Sequence, residues 1–296
     1  MTDELLQSTA ETNATVAEQR NASGVQLVET APAKESAPAA IEVRNLSIGY
    51  GSRVVLENLN FRIEPGQIVT ILGGSGCGKS TLLKHIIGLY KPLRGDILIN
   101  GRSIVNANEA EKRSIMSEFG VAYQGGALFR SLSLAENIAL PMEELTNWSR
   151  DEIRKRVSEK LALVHLDGFE SYMPSDLSGG MIKRAAFARA LALDPKLLFF
   201  DEPSAGLDPL TSDMLDNVIL EIREKTRATI MMVTHELPSI FRVSDRVIML
   251  SAEKKGVVDD GAPAHLRDHS IDDYVRSFLS RGGTFNSNDD GPGATP

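Results

Sequence analysis

The run Gly73-Gly74-Ser75-Gly76-Cys77-Gly78-Lys79-Ser80-Thr81 limits this chain more than any other segment. A strand-like apolar stretch (67–72) precedes it and a helix-like stretch (81–89) follows. Strand, glycine loop and helix are the context in which the pattern G-x-x-x-x-G-K-[ST] cradles phosphate. Glycines let the main chain turn tightly and aim consecutive N–H groups at one point, and the helix start adds the positive end of its dipole. Lys79 is expected to reach the β- and γ-phosphates of a nucleotide, and the Ser80 hydroxyl to hold Mg²⁺. A Gly/Ser-rich turn with a chance lysine is the competing reading, and the matching flanks weigh against it.

The 296 residues suffice for one large α/β domain or a domain with a helical insertion. No window approaches 18 uninterrupted apolar residues, so no bilayer span is expected. The start Met1-Thr2-Asp3-Glu4 lacks the basic and apolar stretches of a signal peptide, and one cysteine cannot form an internal disulfide, which together point to the cytosol. The formal net charge of −8 is uneven. Residues 1–40 carry six carboxylates against Arg20 and Lys34, and Asp289 and Asp290 add to the far end, leaving the middle close to balance. Without a Lys/Arg excess, no nucleic-acid partner is expected.

Residues 1–40 are rich in Ala, Thr, Glu and Ser and read as a disordered acidic tail, with a short helix at 9–19 the one element they suggest. Residues 282–296, rich in Gly, Asn and Asp, read as a flexible tail. No internal repeat occurs, so one nucleotide site is encoded per chain. Between the tails, 41–50 and 54–63 read as strands joined by Gly51-Ser52-Arg53, with Leu59, Phe61 and Ile63 on one buried face. Residues 96–100 followed by Gly101 read as a strand ending in an Asn-Gly turn. From 126 to 176 the pattern turns helical: Ser149 and Glu152 make a capping box, and Ile153, Val157 and Leu161 form an apolar stripe expected to pack. The dense apolar runs 196–201 and 229–234 read as parallel strands covered on both faces, and 247–251 with 256–260 as a hairpin around 252–255.

Two further segments bear on the glycine loop. Leu197-Leu198-Phe199-Phe200-Asp201-Glu202 is a buried strand ending in two carboxylates; Asp201 is expected to engage Mg²⁺ beside the loop, and Glu202 to face a water attacking the γ-phosphate. Leu177-Ser178-Gly179-Gly180-Met181 opens a helix running through Arg189 and Leu191, with Ser178 as N-cap and glycines exposing main-chain donors. This is a second phosphate-binding helix start. One loop already covers one face of a nucleotide, so the second start needs another molecule's phosphate, most simply in a head-to-tail dimer with two nucleotides sandwiched.

The order P-loop, Gln124, Leu-Ser-Gly-Gly, apolar-Asp201-Glu202, Ser204-Ala205-Gly206-Leu207-Asp208 and Thr234-His235 resembles that of ABC-transporter ATPase subunits. The resemblance implies an α/β P-loop NTPase domain over 41–281, with an N-terminal antiparallel β-subdomain and an α-helical subdomain inserted at about 126–190. It implies ATP and Mg²⁺ as cofactors. By resemblance Tyr50 stacks on adenine; Gly73 to Thr81 bind the phosphates; Ser80, Gln124 and Asp201 are the Mg²⁺-associated set; Glu202 is the general base or water-positioning group. His235 resembles the switch residue at the γ-phosphate, Ser178, Gly179 and Gly180 the signature donors to the partner's ATP, and Asp208 the residue linking the two sites of a homodimer. His85 and His165 are expected to be helix-surface or packing residues. One departure stands out: Met181 occupies the position of the usual signature glutamine, and a thioether cannot make an amide's hydrogen bonds. The serine and glycine donors remain, so hydrolysis is expected to survive.

Tyr123-Gln124-Gly125-Gly126-Ala127-Leu128-Phe129, Glu136 to Pro141, Leu-Ser-Gly-Gly-Met and Val275-Arg276-Ser277-Phe278-Leu279 together resemble the ATPases paired with Mce-type lipid-binding proteins, as in the bacterial Mla phospholipid transporters. That resemblance implies membrane permease subunits, a Mce-domain protein and a small regulatory subunit as partners, at the cytoplasmic face of an inner membrane. The segment 125–129 offers small and apolar residues suited to a groove for a partner's cytoplasmic helix. The competing readings are the ATPase of an importer for amino acids or another small solute, a non-transport ABC ATPase acting on ribosomes or DNA, and a small-molecule kinase, in which the Leu-Ser-Gly-Gly segment has no task.

Overall fold

The computed structural model describes residues 38–280. Except for residues 38–40, the tails expected at 1–40 and 282–296, and the helix at 9–19, lie outside them.

β1 (Ile41–Tyr50) and β2 (Arg53–Ile63) form an antiparallel hairpin. Its turn is Gly51-Ser52, one residue shorter than the sequence suggested, because Arg53 already pairs with Tyr50. Leu59, Phe61 and Ile63 are buried on one face, as their alternation predicts. The chain then lays down β3 (Ile68–Gly73) and α1 (Lys79–Ile86) before β4 (Arg94–Ile99) returns to pair with β1. β4 starts two residues earlier than expected, since Arg94 pairs with Ser47 across a bulge. Asn100 and Gly101, both left-handed at φ 48° and 77°, turn it into β5 (Arg102–Ser103). That is the backbone an Asn-Gly hairpin needs. The resulting four-stranded sheet, ordered β2-β1-β4-β5, is antiparallel throughout.

Next come α2 (Glu109–Met116), β6 (Phe119–Ala122), α3 (Leu134–Leu145), α4 (Arg150–Leu163) and α5 (Gly179–Ala190). Neither α2 nor the four-residue β6 was anticipated. α3 to α5 form the helical part. Ile153, Val157 and Leu161 of α4 are buried in it, as the stripe predicted. The capping box at its start is only half made: Ser149 accepts from the Glu152 N–H at 3.3 Å, but the Glu152 carboxylate turns to the Arg156 guanidinium at 3.3 Å. An i,i+4 ion pair competes there with the reciprocal cap bond.

β7 (Leu197–Asp201), α6 (Pro209–Thr226), β8 (Thr229–Val233), α7 (Leu237–Val243), β9 (Arg246–Ser251), β10 (Gly256–Gly261), α8 (Pro263–His269) and α9 (Asp273–Ser280) complete the described chain. The second sheet runs β10-β9-β3-β8-β7-β6 and is parallel except at β10. The hairpin read at 247–260 is present, but β9 also pairs with β3, so it is an interior strand. Alternate residues of β7 face opposite ways. Phe199 packs edge-on to Phe119 in the core between the two sheets, while Phe200 stacks on Phe187 of α5 at 4.2 Å in the core beneath the helices. Each buried ring contributes roughly 1.5–3 kcal/mol, so β7 is gripped from both sides. That fixes the carboxylates at its C-terminal end.

Candidate nucleotide site

β3 is buried along its whole length, and at Gly73 the chain leaves the sheet for α1. Gly78, the N-cap of α1, is left-handed at φ 104°, and a Cβ there would lie 2.8 Å from a Val55 methyl. Only glycine satisfies both constraints. The loop walls a cavity of about 660 Å³ with Gly73 to Thr81, except Cys77, and with Tyr50, Gln124, Glu202 and His235. Tyr50 is 48% exposed, touches Tyr90 edge-on at 5.8 Å, and its hydroxyl lies 3.2 Å from Thr81 Oγ1. Tyr50 is thus a half-exposed ring on the cavity wall. The Cys77 side chain is buried instead, and burial pushes its thiol pKa up, so Cys77 belongs to the loop through its main chain.

Lys79 folds back on the loop, donating to the carbonyls of Gly73 at 2.8 Å and Gly74 at 3.0 Å. An ammonium with three donors holds the loop closed on itself until stronger, anionic acceptors enter. On the opposite wall, Glu202 is left-handed at φ 47°, a sparsely populated conformation for a glutamate. Its N–H donates to the Val233 carbonyl at 2.8 Å. Its carboxylate lies 3.0 Å from His235 Nδ1, and since an ionised carboxylate only accepts, Nδ1 carries the proton in that contact.

Asp201 ends β7 near Ser80, and burial, followed by the neighbouring Glu202, raises its pKa against the smaller opposing influence of Lys84, Lys183 and Ser80. Asp201 Oδ1 is buried with no hydrogen-bond partner among the described residues. A buried orphan carboxylate oxygen beside a serine hydroxyl and next to a phosphate-binding loop fits a hard cation such as Mg²⁺. No group of three or more His, Cys, Asp or Glu that could hold a metal occurs among the described residues.

Ser178, Gly179, Gly180 and Asp208 do not line this cavity. Ser178 caps α5 by accepting from the Met181 N–H at 3.3 Å. Ser178 and Gly179 are exposed, whereas a Cβ on Gly180 would come 2.5 Å from Thr211 Cγ2 of α6. Met181 is partly buried against the helical core. Asp208 caps α6 through the N–H and hydroxyl of Thr211, which hold its carboxyl below the usual range. His85 is buried against Tyr90, while His165 is exposed and 3.1 Å from Glu221.

The structure adds residues that sequence reasoning missed. Tyr274 of α9 accepts from the Gly74 N–H at 3.0 Å, and Phe278 reaches the cavity wall. Lys183 of α5 is buried and donates to the carbonyls of Gln124 and Glu202. Burial pulls its pKa down, opposed by the Glu202 and Asp201 charges. Arg189 donates to the carbonyls of Ala127 at 2.7 Å and Gly126 at 3.0 Å. A larger groove of about 1140 Å³, between α3 and α4, contains no phosphate-binding loop and lies apart from this chemistry.

Residues 56–205 match the ABC transporter family. The chain is 43% identical, over 81% of its length and 69% of the relative's, to the probable ribonucleotide transport ATP-binding protein mkl of Mycobacterium leprae. It is 39% identical, over 81% of its length and 89% of the relative's, to the intermembrane phospholipid transport system ATP-binding protein MlaF of Haemophilus influenzae. It is also 37% identical to the Fe(3+) ions import ATP-binding protein FbpC of Escherichia coli O157:H7, over 84% and 69% of the two lengths. Among solved structures, a dimeric post-hydrolysis state of the ATP-binding cassette MJ0796 bound to ADP and Pi superposes with a TM-score of 0.68 at 30% identity, covering 75% of this chain and 98% of that one. The chain therefore belongs to the ABC transporter family, as an ATP-hydrolysing cassette similar to MlaF.

Proposed function

We propose that this cassette drives lipid transport through a separate membrane permease, with two copies closing over two ATP molecules. One observation carries the dimer: α5 offers an exposed, serine-capped start at Ser178 and Gly179, outside the cavity of its own chain. The dimeric arrangement of the similar cassette MJ0796 supports this. Each cavity would then be completed by the partner's helix start, whose main-chain N–H groups face the γ-phosphate.

In the closed pair, Tyr50 stacks on the adenine, and the loop N–H groups and Lys79 hold the phosphates. Lys79 exchanges the carbonyls of Gly73 and Gly74 for phosphate oxygens. Ser80, Gln124 and Asp201 would hold Mg²⁺, which when bound neutralises charge on the phosphate oxygens. Glu202 orients the attacking water and accepts its proton, and His235, released from Glu202, turns to the γ-phosphate. Hydrolysis removes the anion that both helix starts share, and the pair reopens. Asp208, at the start of α6, would meet its counterpart's site across the interface.

Force reaches the permease through a second groove of about 520 Å³, lined by Tyr123, Ala127, Phe129, Leu140, Pro141 and Leu145. Of the segment 125–129, Phe129 supplies the open apolar surface at 52% exposure, while Leu128 packs into the helical core. This groove suits a cytoplasmic helix of the permease. No helix among the described residues is long and apolar enough to cross a membrane, so a permease would supply the path. We assign the chain to the cytoplasmic face of a bacterial inner membrane.

The lipid substrate is supported by the likeness to MlaF. The likeness to FbpC supports the second reading, an importer of a small solute. A pull-down from detergent-solubilised membranes separates them: a permease with a Mce-domain protein, with or without a small regulatory subunit, supports lipid transport. A periplasmic solute-binding protein in its place overturns it.

A further inference from the structure

The cations of α5 share an unusual choice of partner. Arg184 donates to the carbonyls of Val164 and His165, at 3.1 and 2.7 Å, and Arg189 to those of Gly126 and Ala127. Lys183 donates to Gln124 and, at 3.2 Å, to Glu202. Each cation holds main chain that leaves another element. Lys183 is 7% exposed, and no side-chain carboxylate forms a hydrogen bond with it among the described residues. Burying an ammonium is costly unless its donors are used well. Here the donors are spent on two carbonyls 78 positions apart in sequence, those of Gln124 and Glu202.

Those two carbonyls sit at the two places where the hydrolytic reading needs accuracy. Gln124 lines the cavity opposite the P-loop. Glu202 carries its carboxylate on a left-handed residue, a conformation that persists only when its surroundings hold it. Its N–H is tied to Val233 of β8, and its C=O is tied to Lys183. Lys183 itself lies five residues along α5 from the Ser178 cap.

We infer that Lys183 is a positioning residue that couples the exposed start of α5 to the catalytic wall of its own chain, by clamping the carbonyls of Gln124 and Glu202. When a partner's γ-phosphate seats on Ser178 and Gly179, α5 moves as a body and carries the clamp with it. The turn at Glu202 and the chain after Gln124 are then set together. Each cassette thereby registers occupancy of the other's nucleotide through one ammonium. The inference rests on the reading of Glu202 given above.

The test compares K183M, K183Q, R184Q and E202Q with the wild-type chain, using steady-state ATPase with Mg²⁺ present, titration with a fluorescent ATP analogue, and thermal melting. K183M keeps length and removes the donors. It is expected to lower kcat by about tenfold to a hundredfold, the scale of a misplaced catalytic group, with analogue affinity within twofold of wild type. R184Q removes a half-buried cation from the same helix that touches neither Gln124 nor Glu202. It is expected to lower the melting temperature with kcat held within twofold. A K183M kcat within twofold of wild type, or equal losses in K183M and R184Q, overturns the clamp. K183Q keeps an amide donor too short to span both carbonyls and carries the same expectation if K183M does not fold; failure of both to fold makes Lys183 an ordinary structural residue and overturns the proposal. E202Q separates the layers: turnover like wild type there removes the Glu202 assignment, whereas loss in E202Q without loss in K183M removes the clamp alone.

Discussion

Two helix starts in this chain use the same chemistry, glycines and a dipole, yet only one is a finished site. The start of α1 is walled by Tyr50, Gln124, Glu202 and His235 from distant parts of the sequence. The start of α5 has Ser178 and Gly179 at the surface, a cap bond to its own Met181, and a place outside the walls of that cavity. A helix N-terminus attracts anions in either setting. What differs is desolvation and convergence, which the chain supplies at α1 and which, in the proposed dimer, a second copy supplies at α5.

The sharpest way to break this contrast is Glu202→Gln. It is expected to lower turnover by about 10²–10⁴-fold, the contribution of a positioned base, while keeping ATP binding. Dimers should then accumulate with ATP in size-exclusion chromatography, and single chains at saturating ATP, with the permease present, would remove the role given to α5. Lys79→Ala acts on the finished site alone. Loss of a charge-assisted contact is worth about 1.5–3 kcal/mol, so the fluorescent ATP analogue should bind roughly tenfold to a hundredfold more weakly. Gly180→Val acts on the open site alone, because its side chain must enter the space of Thr211. Turnover should fall while analogue titration stays at the wild-type value, and a matched loss in titration would mean that the two starts are not separate.

The smallest expected effect lies away from both. Asp216 of α6 is buried, accepts from the Ser239 hydroxyl, and has its pKa raised by burial. A carboxyl whose folded pKa is raised costs nothing while protonated in both states, and destabilises the fold as pH climbs through the folded value. Asp216→Asn keeps the acceptor for Ser239. Its melting temperature should equal wild type below the ordinary carboxylate range and exceed it slightly at neutral pH.

Much of the cavity, and the exposed helix start outside it, was legible because the signals are local. The P-loop, β7 with its carboxylates and the Ser178 cap each lie in one short window whose residue types carry the geometry. β6, with four residues and only two of them buried, has too little pattern to announce itself. The capping box at Ser149 was half wrong because sequence shows that Glu152 can reach the cap but not that Arg156 competes for it. Lys183 and Tyr274 were invisible for another reason. Lys183 binds carbonyls, which every residue possesses, and Tyr274 meets Gly74 across 200 positions.

That last contact has a practical consequence at the bench. The hydroxyl on the Gly74 amide of the loop belongs to α9, and Ser280, the last residue of that helix, lies only six steps, roughly 9 Å of helix, beyond Tyr274. A truncation before residue 274 strips a bonding partner from Gly74. Nucleotide dissociation constants measured on a chain cut there are expected to differ from those of the full sequence.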